Sequence, residues 1–142
     1  MSNIRIATLA DSKSINSLSF YLGYGSTPQE VADERLRCVL QSSSDNVWVF
    51  EESDSILGWL HVFKAYRVAS GMFYEIGGLV VAPDARKKGI GRKLVEFAAK
   101  ESEAENIELR VRCNSQRKDA HEFYKRLGFS ASKTQSVFKM FL

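Results

Sequence analysis

The sequence has little cysteine and no long apolar run, and each shortage excludes a class of protein. Its 142 residues contain two cysteines, Cys38 and Cys113. They are too few for a disulfide framework and wrongly spaced for zinc, so we predict no metal site and expect reduced, buried thiols. No apolar run approaches the roughly 20 residues that span a bilayer. The N-terminus also lacks a basic segment followed by an apolar stretch. We therefore expect a cytoplasmic protein with no membrane partner.

Charge is unevenly distributed along the chain. Residues 1–83 hold 6 Lys/Arg against 9 Asp/Glu, whereas residues 84–142 hold 14 against 8. A polyanionic small molecule would explain a basic C-terminal half, and so would nucleic acid. The cations of that half are interleaved with glutamates, and no helix-turn-helix, RNA-recognition or zinc-finger pattern is present. We therefore expect no nucleic-acid partner.

A strand, a loop and a helix are predicted between Glu75 and Leu94. The run Leu79, Val80, Val81 is short, continuous and apolar, which is typical of a buried strand. Pro83 ends the strand because proline has no backbone N–H for the ladder. Helical periodicity begins at Gly89, and the apolar face of this helix comprises Ile90, Leu94, Phe97 and Ala98.

The loop before this helix carries three consecutive cations, Arg86, Lys87 and Lys88. The first amides of a helix lack intrahelical acceptors, and the helix dipole favours an anion there. Gly89 and Gly91 let a phosphate approach the backbone closely. The loop therefore suits a diphosphate, although an ordinary capped helix behind a solvated basic turn would look alike. A Walker loop is excluded because no Lys-Ser or Lys-Thr pair follows, and a dinucleotide fingerprint because no third glycine does.

The remaining patterns predict a single mixed α/β domain over residues 1–142, with a mostly antiparallel sheet, one parallel strand pair and about four helices. Strands are expected at 4–8, 47–50, 56–63, 72–81 and 107–113. Helices are expected from an N-cap at Asp11, from a capping box at 27–30, from Gly89 and from Ser115. The strands joined by the helix at Gly89 should be parallel. Gly58 predicts a bulge, and the pair Gly77-Gly78 predicts either a bulge or a close backbone neighbour. Alternating Phe138, Met140 and Leu142 suggest a terminal hairpin around 132–136.

Two motifs together resemble the GNAT superfamily of N-acetyltransferases. Residues 86–91, Arg-Lys-Lys-Gly-Ile-Gly, are similar to its acyl-CoA pyrophosphate loop, Arg/Gln-x-x-Gly-x-Gly/Ala. The run from Asn114 to Phe129 resembles its signature Asn-x(5)-Ala-x(2)-Phe-Tyr-x(3)-Gly-Phe, through Asn114, Ala120, Phe123, Tyr124, Gly128 and Phe129. Within the superfamily the chain looks most like small-molecule amine acetyltransferases, including the aminoalkylphosphonate type. The resemblance implies the GNAT fold, with its parallel strand pair splayed.

The resemblance also implies a reaction, direct attack of a small primary amine on acetyl-CoA without a covalent enzyme intermediate. Tyr124 is at the position of the general acid. Glu75 is the expected base, directly or through a bound water, although relatives of the small-molecule type carry a glutamate where this chain has Gly77 and Gly78. Pantetheine would align on the backbone of Leu79, Val80 and Val81, with Asn114, which alternatively caps the next helix. The other cofactor-binding residues expected are Arg86, Lys87, Lys88, Gly89, Ile90, Gly91, Arg92, Phe123 and Tyr124.

Other polar and aromatic residues have two interpretations. Tyr21, Tyr24 and Trp59 line an acceptor site or pack in the core, and the same choice applies to His61. His121 is interpreted as a surface histidine, and Arg110 with Arg112 as a solvated face. Relatives commonly dimerise through C-terminal strands, so a homodimer is possible. Three alternative functions stay open: CoA binding without catalysis, acetylation of a protein amine, and nucleic-acid binding.

Overall fold

The computed structural model describes residues 1–23 and 25–141, which form two compact units, Met1–Arg112 and Cys113–Leu142. The predictions for Tyr24 and Leu142 lie outside the described residues. None of the helices in the described part of the chain combines the length and apolarity needed to cross a membrane.

The first unit is built on a five-stranded sheet whose strands follow in chain order: β1 Ser2–Ile6, β2 Asp45–Glu52, β3 Ser55–Ala65, β4 Phe73–Val81 and β5 Leu109–Val111. The first four strands are antiparallel neighbours, and β4 with β5 is the parallel pair. The predicted mixed α/β sheet with one parallel pair is therefore confirmed. The β2–β3 turn places Ser53 and Asp54 at positive φ, +50° and +64°, as a two-residue hairpin turn of type I′ requires.

Within the described residues, three α-helices belong to this unit and one to the second: α1 Ser12–Ser19, α2 Gln29–Gln41, α3 Ile90–Ala104 and α4 Lys118–Arg126. Short 3-10 helices at Leu9–Asp11, Phe20–Leu22 and Pro83–Lys88 adjoin α1 and α3. Gly23 ends the first helical region in a left-handed conformation. The capping box expected at 27–30 is wrong, because α2 starts at Gln29 and Pro28 occupies its cap without a side-chain hydrogen bond.

Asp11 stands at the N-cap of α1 as predicted, but its carboxylate has another role. It accepts the backbone N–H of Thr8 at 2.8 Å and a bidentate pair of bonds from the Arg5 guanidinium at 2.8 and 2.9 Å. The hydrogen bonds from Arg5 lower the pKa of Asp11 despite its burial. The carboxylate thereby joins the edge strand β1 to the start of α1.

Helix α3 packs on one face of the sheet through side chains that are almost fully buried, Ile90, Leu94, Val95 and Ala98. Gly58 on β3 lies directly under them, and the predicted bulge is found beside it, where Leu57 is the extra residue between two β2 partners. A Cβ at position 58 would lie 2.9 Å from the carbonyl oxygen of Val80 and 3.2 Å from Ile90 Cγ2. The absent side chain therefore sets how closely α3 approaches the sheet.

In the second unit, α4 ends in a Schellman motif. The Phe129 N–H donates to the Tyr124 carbonyl and the Gly128 N–H to that of Lys125, at 3.0 Å each, with Gly128 at φ +102°. Gly128 therefore ends α4.

The predicted terminal hairpin is wrong, because residues 129–141 contain no strand. A strand needs a ladder partner, and three alternating apolar positions do not supply one. Val137, Phe138 and Met140 are at least four-fifths exposed. The expected burial of both thiols is also wrong in part, since Cys38 on α2 is exposed and Cys113 is partly buried.

The substitution Gly58→Ala should destabilise the fold, because its Cβ meets a backbone oxygen that cannot move independently of β4. We expect the free energy of unfolding in urea to fall by about 1–3 kcal/mol. Gly71→Ala is the matched control, since nothing lies within 4 Å of its Cβ, and its change should stay within about 0.5 kcal/mol. Equal effects of the two substitutions would contradict the packing argument.

Candidate functional site

The most open part of the sheet is the second half of β4. Parallel pairing with β5 runs only from Tyr74 to Ile76, opposite Leu109 to Val111. From Gly78 to Val81, β4 stays paired with β3 on its other side. Within the described residues, no strand pairs with the β5 side of β4 beyond Ile76. Leu79, Val80 and Val81 therefore present a free backbone edge, that is, an edge on which no strand of the described residues pairs. The splay of the parallel pair stays a prediction.

A bulge opens this free edge. His61 pairs with Gly78 while its neighbour Val62 pairs with Ile76, which leaves Gly77 as the extra residue of β4. A Cβ on Gly77 would lie 3.0 Å from His61 Nδ1, and one on Gly78 would lie 2.8 Å from Trp59 Cη2. A side chain at either position would therefore have to displace a β3 side chain, which favours glycine here.

The free edge leads into the predicted phosphate turn. After Pro83 the chain makes a 3-10 helix through Lys88, and Gly89 turns it into α3 with φ +74°. The first intrahelical bond in α3 joins the Lys93 N–H to the Gly89 carbonyl. The amides of Ile90, Gly91 and Arg92 thus have no intrahelical acceptor.

The side chains around these amides are cationic and exposed. Arg86, Lys87, Lys88 and Arg92 are all open to solvent. Lys88 lies 3.7 Å from Glu52, Arg92 lies 3.2 Å from Glu96, and Arg86 donates to the Val81 carbonyl at 3.4 Å. Surface pairs of this kind contribute little, so the cations can turn to an anion at the start of α3.

Glu75 lies on β4 before the bulge and is 9% exposed. Its carboxylate accepts a hydrogen bond from Arg112 Nε at 3.1 Å. The Arg112 side chain is 63% exposed, which agrees with its interpretation as part of a solvated or interface face, and its guanidinium also pairs with Glu75. The other arginine, Arg110, stacks on the ring of Phe73, 3.8 Å from its centroid. The expected base is therefore held in an ion pair.

His61 belongs to a second hydrogen-bonded pair on the face of the sheet that carries Phe63 and Glu75. Its Nε2 lies 2.7 Å from Asp45 Oδ1 at the start of β2. Asp45 Oδ2 in turn accepts from Ser42 Oγ at 2.6 Å. Sequence reasoning missed Asp45 because the predicted strand began at Val47. The hairpin register was the signal that could have found it, since it places Asp45 across from Phe63 and diagonal to His61.

The second unit holds the remaining predicted site residues. Asn114 Oδ1 accepts the Gln116 N–H at 2.9 Å, which makes a turn ahead of α4 rather than a cap on it. The Asn114 carbonyl oxygen lies 2.9 Å from His121 Nε2. The rings of Phe123 and Phe129 pack edge-on against Tyr124, with centroids 5.0 and 5.4 Å away. Burial raises the pKa of Tyr124 to about 12, with a contribution from Cys113 and opposition from Arg117.

Of the other aromatic candidates, one lies in the core and one at the surface. Trp59 is 8% exposed, so it is a core residue that also covers Gly78. Tyr21 is 51% exposed and free to line a site.

A protein-family model described as an acetyltransferase (GNAT) domain matches residues 26–141. The chain therefore belongs to this family, and it is an acetyltransferase domain of the GNAT type. The two sequence motifs indicated this family, and their expectation is confirmed.

Individual relatives agree with this assignment. The 5-NmdU N-acetyltransferase of Pseudomonas phage PaMx11 is 31% identical over 86 residues, which cover 61% of this chain and 58% of that protein's length. The match thus spans little more than half of that relative. Glucosamine-6-phosphate N-acetyltransferase from Arabidopsis thaliana has a TM-score of 0.83 at 22% identity, over 98% of each chain. An aminoglycoside N-acetyltransferase in complex with CoA has a TM-score of 0.86 at 14% identity, over 99% of this chain and 95% of the other. At these identities the two solved structures establish the fold.

The raised pKa of Tyr124 has a spectroscopic consequence. Because burial favours the neutral phenol, Tyr124 should stay protonated at neutral pH and ionise only near pH 12. In an alkaline titration of tyrosinate absorbance, Tyr124→Phe should remove a component with that midpoint. Circular dichroism at each pH confirms that the fold persists. Loss of a component that titrates below pH 10 would contradict the burial of the phenol.

Proposed function

We propose that this chain transfers the acetyl group of acetyl-CoA to a primary amine of a small molecule, by direct attack and without an acetyl-enzyme. The observation that carries the proposal is the free β4 edge that runs from a glycine bulge into a cationic helix N-terminus. This combination suits a ligand that has a diphosphate at one end and an extended, amide-containing arm.

The two parts of the site match the two ends of such a cosubstrate. The amides of Ile90, Gly91 and Arg92, with the cations at 86–88, suit the pyrophosphate. The unpaired edge at Leu79, Val80 and Val81 suits the amides of pantetheine, which would add to the sheet like a further strand. The backbone N–H after the bulge is then the donor for the thioester oxyanion. Asn114 and Phe123 are proposed to contact the CoA arm.

Tyr124 is proposed as the general acid that protonates the departing thiolate. Its phenol is protonated at physiological pH, as an ordinary tyrosine is, and burial raises its pKa further, to about 12. A protonated phenol is what the leaving sulphur needs. Glu75, which the sequence predicted as the base, is proposed to lie at the acceptor amine as a carboxylate paired with Arg112. It would contact the amine directly or through a water.

The acceptor class is supported by the relatives. They are named as N-acetyltransferases of 5-NmdU, of glucosamine-6-phosphate and of aminoglycosides, which points to amines on small molecules. Release of free thiol from acetyl-CoA across a panel of such amines tests the activity. Binding of acetyl-CoA without thiol release for any amine would favour a CoA-binding domain without catalysis.

Reversing the charges of the turn should weaken cosubstrate binding. The triple substitution Arg86→Glu, Lys87→Glu, Lys88→Glu replaces attraction for the diphosphate with repulsion, and each phosphate contact is charge-assisted. We expect the Kd for acetyl-CoA, measured by calorimetry, to rise by at least about 100-fold. Lys13→Glu, Arg35→Glu, Arg37→Glu changes the net charge equally at exposed positions on α1 and α2 and should leave the Kd nearly unchanged. An unaffected Kd in the first variant would contradict the proposed pyrophosphate site.

Removing the Tyr124 hydroxyl should slow the chemical step without weakening acetyl-CoA binding. Tyr124→Phe keeps both ring contacts but removes the proton donor. We expect single-turnover acetyl transfer to slow by about 100-fold, within the range for loss of a general acid. The control is Tyr66→Phe, at a position that is 66% exposed. Acetyl transfer at the wild-type rate in the Tyr124 variant would remove this residue from the mechanism.

A further inference from the structure

We propose that His61, held by Asp45, is the group that takes the proton from the acceptor amine. This inference rests on the proposed function, because it assigns a residue to a step of that reaction. Three features of the structure support this role. They are the orientation of the imidazole, its position beside the bulge, and the hydrogen bond that pairs Glu75 with Arg112.

The orientation of the imidazole follows from Asp45. Burial alone would raise the pKa of this carboxyl, but hydrogen bonds from Ser42 and His61 outweigh burial and lower it. Asp45 is therefore an ionised acceptor at neutral pH, and the nitrogen 2.7 Å from it must be the N–H donor. In neutral His61 that nitrogen is Nε2, so the lone pair is on Nδ1.

Nδ1 is also the nitrogen that faces the bulge. A Cβ on Gly77 would lie 3.0 Å from Nδ1, which is a tight contact, so the bare glycine backbone lets Nδ1 lie close to the bulge. Among the described residues, none donates a hydrogen bond to Nδ1. The side chain is 25% exposed, which gives an amine access to the ring. The imidazole is thus held by Asp45 with Nδ1 beside Gly77.

The bulge is also where the thioester should arrive. The pyrophosphate site lies beyond Val81, and the free edge runs from there back to Gly77, about 16 Å over five residues at roughly 3.3 Å each. A pantetheine arm laid along this edge therefore brings its sulphur end toward Gly77 and His61.

Glu75 is less suited to this proton transfer. One of its oxygens already accepts a hydrogen bond from Arg112 Nε, and the guanidinium is a cation beside the place where an ammonium substrate would have to lie. His61 has the opposite arrangement, since its hydrogen-bond partner within the described residues is a carboxylate, which orients the ring and places a negative charge beside it.

The step balances in atoms and charge. An ammonium substrate gives one proton to His61 Nδ1, and the freed nitrogen lone pair forms the C–N bond to the thioester carbon. The C–S bond then breaks, Tyr124 gives its phenolic proton to the departing sulphur, and the sulphur leaves as the CoA thiol. The second proton of the nitrogen passes through solvent and restores the Tyr124 phenol. His61 returns its proton to solvent, so each turnover yields one amide, one thiol and one proton.

Few other ionisable groups lie where they could produce the pH dependence that we assign to His61. Asp45 is its partner on β2, and on its face of β4 and β5 Glu75 is paired with Arg112. Helix α1, which also packs against β3, has the exposed Lys13 as its single ionisable side chain. Helix α3 lies on the opposite face of β3, over Gly58.

The test is the pH dependence of kcat/KM for an amine in His61→Gln, with acetyl-CoA affinity measured separately. We expect kcat/KM near neutral pH to fall by about 100-fold or more, with acetyl-CoA affinity unchanged. The variant should recover activity as pH rises toward the pKa of the amine, or with a less basic amine, because free amine then needs no base. Asp45→Asn, which keeps the imidazole but loses its anchor, should lower kcat/KM by about tenfold. His121→Gln, at the other histidine, should retain the wild-type profile.

A wild-type pH profile in His61→Gln would overturn the assignment of His61 while leaving the proposed function intact. A wild-type chain that binds acetyl-CoA but acetylates no amine would instead overturn the proposed function. A further measurement needs no turnover. In NMR spectra of the free protein, long-range ¹⁵N–¹H correlations should show neutral His61 as the tautomer with its proton on Nε2. A proton on Nδ1 in the neutral ring would contradict the proposal directly.

Discussion

The structure depends on one interruption of hydrogen bonding, the end of the β4–β5 ladder at Ile76. Backbone groups inside a sheet are normally paired, and unpaired ones cost free energy unless water or a ligand satisfies them. Here the unpaired edge continues into a helix N-terminus, which has unsatisfied donors of its own. The chain thus places two kinds of free backbone group in line, and a ligand with a matching arm and anion can satisfy both.

The bulge at Gly77 makes this edge usable. By inserting one residue opposite His61, it interrupts the β3–β4 ladder at the point where the pairing with β5 has also ended. Gly58 has a related role on the opposite face of β3, because its missing side chain lets α3 lie close to the sheet. At all three glycines, which lie on two adjacent strands, the constraint is a close neighbour rather than a positive φ.

Local patterns predicted much of this arrangement. Pro83, the cations, the glycines and the apolar positions of α3 all act within about twenty residues, and the strand, turn and helix were found where they were expected. Contacts between distant residues were not predictable in the same way. The pairs Glu75–Arg112 and Asp45–His61 depend on strand register, which the hairpin turn and the short parallel ladder determine. The terminal hairpin failed for a related reason, since alternation shows which residues share a face and not whether a partner strand exists.

The side-chain atoms nearest to the bulge come from one strand. Gly77 and Gly78 contribute only backbone, and Trp59, His61 and Phe63 of β3 supply the nearest atoms. Under the proposed function, the cosubstrate would be held by β4 and the start of α3, and the acceptor would meet side chains of β3. Natural variation or directed evolution confined to three alternate positions of β3 would then change acceptor selectivity while donor specificity stays the same.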